Sequence, residues 1–219
     1  MDWGAYAVTQ VSRYENGQAR LSPAGDARQK QLVRMAMAAG GLGLALLMQG
    51  RFAEAPAWLT RSAERYRESF EDAPPESWGR PVGAIKARLL AGDREGAAAD
   101  ARWALAAGAA ESISPIGRYA GALAQLVLGA DQEASVTAGS LQVETPDAFP
   151  APVANALAAL AARDSPAYGV AIHAVLRSFE DRDAYLEDAA VADTVLVLQA
   201  LAKPRGLAVT LSSPLLPSY

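Results

Sequence analysis

His173 is the only histidine in the chain, and so the one side chain whose ordinary pKa puts proton transfer within reach near neutrality. To serve as base for a serine or threonine nucleophile it would need a carboxylate behind it, and no Gly-x-Ser-x-Gly elbow accompanies it. It sits in an apolar helical run with Ala167, Val170, Ala171 and Leu176, and reads as a packed or half-exposed helix residue. The run Gly40-Gly41-Leu42-Gly43 has glycines suited to a phosphate loop. It follows a helical stretch instead of a strand, however, and lacks both the last glycine of the dinucleotide pattern and the lysine of a P-loop. Close helix packing accounts for it. Paired carboxylates of the glycosidase type can come from distant parts of a chain, so spacing alone does not exclude them. With no cysteine, disulfides, iron–sulfur clusters and thiolate zinc sites are excluded. No metal and no cofactor is expected, and the chain reads as non-enzymatic.

Charge carries more information. Between Arg177 and Asp193 six acids, Glu180, Asp181, Asp183, Glu187, Asp188 and Asp193, face only Arg177 and Arg182, so this segment has the same −4 balance as the whole chain. Beside Phe179 and Tyr185, such a patch would steer a basic partner and hold it through aromatic anchors. The competing reading is a solvated connector whose acids cap helices. A second candidate surface joins Trp78 and Arg80 to Arg118 and Tyr119, residue types that dominate interface hot spots, at positions between hairpins. Its alternative is a tryptophan that plugs the seam between two hairpins.

The elements that must position these residues follow from a repeated pattern. A small or apolar helix ends in glycine and is followed by an alanine-rich helix, at Gly50 before Ala55, at Gly92 before Ala97 and at Gly129 before Ala134. That is the mark of stacked antiparallel helical hairpins, an all-α, tetratricopeptide-like superhelix that works by offering a surface. Glycine after the last apolar position suits the left-handed residue that closes a helix.

Residues 1–25 read as an aromatic preface packed on the first hairpin, with Asp26 capping a helix to Gln49. The second helix of that hairpin spans 53–69, with Arg61, Glu64, Arg65 and Glu68 outside. Three more pairs follow, over 81–90 and 97–107, 116–128 and 132–141, and 150–162 and 166–179, with Glu144-Thr145-Pro146-Asp147 closing the third. The last turn, Arg163-Asp164-Ser165, lacks glycine. Residues 181–219 then make an acidic connector, a terminal helix over 191–203 ended by Pro204-Arg205-Gly206, and an extended apolar tail that caps the stack. One domain of 219 residues is expected.

Composition bounds the partners. Twenty Lys and Arg against 24 acids leave a net charge of −4, which gives no general attraction for nucleic acid or anionic membranes. The uncharged run 35–50 is shorter than the roughly 20 residues a membrane span needs, and it reads as a buried helix. The start carries no basic n-region, so a cytoplasmic protein is expected.

The hairpins resemble tetratricopeptide units loosely, with longer and less regular spacing. The whole-chain layout is similar to the α-helical bacterial immunity proteins of the immunity 49 family. The likeness rests on degenerate helical pairs, on Ser69-Phe70 before a proline break, on the apolar run 195–202 leading to Arg205-Gly206-Leu207-Ala208-Val209, and on Ser213-Pro214-Leu215-Leu216-Pro217. The resemblance implies a cytoplasmic protein that binds and neutralises the cognate toxin of a polymorphic toxin system. The other readings are a tetratricopeptide-like scaffold for a peptide or protein partner and an enzyme using His173.

Overall fold

The helix-closing glycines do what the pattern requires: Gly50, Gly92 and Gly129 have φ of 72°, 72° and 74°, a region open to glycine without a Cβ clash. A computed structural model describes residues 1–145 and 147–218, so Pro146, part of the expected break after the third hairpin, lies outside the described residues. Among these the fold is all-helical. The helices are α1 (Trp3–Ala19), α2 (Gly25–Met48), α3 (Ala55–Ser69), α4 (Gly79–Leu90), α5 (Arg94–Ala106), α6 (Pro115–Val127), α7 (Asp131–Gln142), α8 (Ala151–Ala162), α9 (Ser165–Glu180) and α10 (Asp193–Ala202).

Each helix from α1 to α9 packs on the next, so the four expected hairpins are α2/α3, α4/α5, α6/α7 and α8/α9. Helices α4 and α6, and α6 and α8, also touch directly, and α10 lies against α4, α8 and α9. Small residues permit this closeness. A Cβ on Gly43 would come 2.6 Å from the Leu59 side chain, and one on Gly83 would come 2.6 Å from the Tyr66 ring. The alanine stripe Ala97, Ala101 and Ala104 of α5 is fully buried, as its spacing predicts.

Four expectations need correction. The preface is a helix: the Asp2 carboxylate accepts from the Ala5 amide 3.0 Å away and caps α1. Asp26 is not a cap, because Ala24 holds that position; its carboxylate instead takes the Gln29 side chain and pairs with Lys30 at 2.7 Å. Arg65 and Glu68 are not on an open face, since α1 meets Arg65 and Arg28 of α2 meets Glu68. Arg65 donates to Tyr14 and Gln18 of α1, and Glu68 bridges Arg28 and Arg65. The fourth concerns α2, which is 24 residues long and apolar enough to cross a membrane by length and composition. In the fold 61% of its most apolar window is buried inside the protein, the situation of a core helix between α1 and α3.

The turn without glycine uses Arg163 at φ 54°, after which Asp164 caps α9 by accepting from the Ala167 amide at 2.9 Å. After α10, residues 203–205 form a single 3-10 turn closed by Gly206 at φ 71°. The tail then runs without regular structure. Leu207 and Leu215 enter the main core, and the Leu215 carbonyl accepts from the Ala192 amide at 2.9 Å.

Candidate acidic connector and the cavity beneath it

The segment between α9 and α10 is tied to α1 and α4. Its path is fixed at three points. The Tyr185 hydroxyl donates to the Phe179 carbonyl at 2.9 Å, the Tyr6 hydroxyl of α1 donates to the Glu187 carbonyl at 3.0 Å, and Arg13 pairs with the Glu187 carboxylate at 2.6 Å. At the far end Asp193 pairs with Lys86 of α4 at 2.6 Å, while the Lys86 amine also donates to Thr194 at 3.1 Å. Glu187 and Asp188 both adopt left-handed backbone, φ 52° and 59°. Such a conformation costs a non-glycine residue about 1–3 kcal/mol and persists only where its surroundings over-determine it. These anchors supply that determination.

The acids therefore divide. Asp181, Asp183 and Asp188 are exposed and have no ion pair among the described residues. Glu187 is tied to Arg13, Asp193 is turned inward to Lys86, and Glu180, though exposed, accepts from the Ser213 hydroxyl of the tail at 2.7 Å. Leu186, 77% exposed, stands among the open acids.

The aromatic anchors are elsewhere than expected. Phe179 is buried at 5% exposure with the Arg182 guanidinium 3.7 Å over its ring, and Tyr185 is half-buried. The second candidate surface dissolves in the same way. Trp78 and Tyr119 are buried, the first donating its indole N–H to Glu76 at 2.8 Å and the second packing on Phe149 with ring centroids 5.3 Å apart. Arg80 is occupied by Ser69 and Gln29, and Arg118 pairs with Glu144. Trp78 is thus the seam plug, its ring buried between Phe70 and the α6 glycine Gly117. His173 is exposed on α9, its Nδ1 2.7 Å from the Gly169 carbonyl.

Beneath the connector lies a cavity of about 210 Å³ that sequence reasoning missed. Leu186, Glu187 and Ala189 line one side, and the rest is built mainly from α2, α3 and α4, including Leu44, Tyr66 and Lys86. Burial would lower the Lys86 pKa, yet the facing Asp193 carboxylate outweighs it and the amine is held above its usual value. Burial, reinforced by the Glu187 carboxylate, pushes the Tyr6 hydroxyl up to about 12, and burial pushes Tyr66 up to about 12 as well. The signal that was available is Lys86 itself, a cation set between Ile85 and Ala87 on the buried side of its helix.

The chain matches no family model, and no curated protein or solved structure is significantly similar to it.

Proposed function

We propose that this protein acts by binding another protein, and that the open edge of the acidic connector is the contact. The observation that supports this is the division of the acids: Asp181, Asp183 and Asp188 are exposed and have no ion pair among the described residues, they flank the exposed Leu186 in sequence, and they lie on a loop whose backbone is held in a costly conformation at Glu187 and Asp188. A fixed loop loses little freedom on binding, so its charge and apolar contact convert more fully into affinity. The complementary partner is basic with an apolar recess.

In this reading the partner is the cognate toxin of a cytoplasmic immunity protein, the function implied by the likeness to the immunity 49 family. A tetratricopeptide-like adaptor is the alternative, in which a peptide lies along the inner helices. The position of α10 weighs against it, because α10 packs directly on both α4 and α8. The test is calorimetry with the toxin domain encoded beside this gene. Changing Asp181, Asp183 and Asp188 together to lysine should weaken binding by about tenfold or more, mostly through electrostatic complementarity. Unchanged affinity removes the connector from the interface, and no binding by the unaltered chain removes the immunity reading.

A further inference from the structure

A second groove that Glu187 also lines has the contrary charge. Arg13, Asn16 and Arg20 of α1 and Gln31 and Arg34 of α2 line a cleft of about 420 Å³, with Glu187 at its edge. Three guanidinium groups thus face one carboxylate in a protein of net charge −4. The close approach that makes the cleft depends on Gly17, since a Cβ there would lie 2.6 Å from both Gln31 Nε2 and Met35 Cγ. Arg20 has no ion pair among the described residues, and the Arg34 guanidinium makes one amide contact, to Gln31 at 3.2 Å. Of the three, only Arg13 has an ion pair among the described residues, to the Glu187 carboxylate at 2.6 Å.

Planar guanidinium forks recognise oxyanions, and the Gln31 and Asn16 amides add neutral donors beside them. From this arrangement we infer that the cleft is a binding site for a small polyanion, a phosphorylated or multiply carboxylated metabolite, and that Glu187 is its resident intramolecular competitor. The cleft is sized for a small molecule. The protein-binding edge consists of acids outside the cleft and shares with it only the Arg13–Glu187 anchor of the connector.

The test is calorimetry on the full chain at low ionic strength, with inorganic pyrophosphate and citrate as separate probes. At least one should bind with one anion per chain, pyrophosphate alone marking a phosphorylated ligand and citrate alone a carboxylated one. Glu187→Gln should tighten binding about two- to fivefold by freeing Arg13 from an exposed pair. Arg20→Ala with Arg34→Ala should weaken it about tenfold or more through lost charge-assisted hydrogen bonds. Thermal melts establish that each variant is folded, and Arg34→Gln is the milder substitute if the double variant is not. The site is overturned if neither anion binds the unaltered chain or Glu187→Gln, if Glu187→Gln fails to tighten binding, or if the arginine variants bind as the unaltered chain does.

Discussion

Tyr6 and Tyr66 show how a half-buried phenol links the cavity to stability. Both hydroxyls are pushed up to about 12, by burial first and, for Tyr6, by the Glu187 carboxylate next, whereas a tyrosine in an unfolded chain titrates near ~10. A group whose pKa is raised by folding contributes stability that is whole below the unfolded value and is lost as pH rises through the folded one. Unfolding free energy from urea titrations should therefore fall between about pH 10 and 12. The Lys86 ammonium, held up by Asp193, adds in the same direction. Tyr66→Phe should leave stability near pH 7 little changed and flatten the alkaline fall; an unaltered slope would mean that Tyr66 is not the group responsible. The acidic side has its own sensor in Asp131. Burial alone would raise its pKa, but hydrogen bonds from Arg205 and Arg163 prevail and hold it down, so its contribution is present above the ordinary carboxylate pKa and is lost as pH falls below it.

At the scale of elements, helix contacts are set by what a missing Cβ allows. On α6, a Cβ at Gly121 would lie 2.6 Å from Ala110 Cα and 2.8 Å from its nitrogen. Those are backbone atoms, and no rotamer change moves them away. Gly121→Ala should destabilise the protein by about 1–3 kcal/mol, an overpacking cost. Gly139 on α7 is the control, since nothing lies within 4 Å of its Cβ position. Gly139→Ala should stabilise by about 0.4–1 kcal/mol by restricting the unfolded chain. Chemical denaturation of both variants checks the pair; equal effects would show that contact at Gly121 does not govern α6 packing. The hairpin turns were legible because Gly50, Gly92 and Gly129 announce a left-handed residue. Arg163 fills the same conformation at the fourth turn without announcing it, held there with its side chain 2.9 Å from Asp131.

For the whole molecule, α10 and the tail complete the fold. Val195, Val197, Leu198 and Leu201 of α10 join the main core with residues of α6, α8 and α9, and Arg205 ties the end of α10 to Asp131 and to the Leu126 carbonyl. A chain ending at Glu180 should expose this surface, melt at markedly lower temperature and bind a hydrophobic dye. A cooperative melt at the full-length temperature would show the terminal segment to be dispensable.

Local sequence was enough to determine the helices from α2 onward, their turns and their pairing in series, because apolar spacing, alanine stripes and helix-closing glycines act between residues only a few positions apart; α1, rich in polar residues and without such a stripe, was not legible this way. It was enough, too, to locate the acidic segment between the last hairpin and the terminal helix. Only the tertiary structure decided which acids remain open. Glu187 meets Arg13 across 174 positions, and Asp193 meets Lys86 from the other half of the chain. Phe179, Trp78 and Tyr119 were lost as surface anchors for the same reason: whether an aromatic ring faces water depends on what a distant helix lays over it. The arginine cleft and the cavity under the connector arise where the first helices receive the last segment, a juxtaposition that no local spacing encodes.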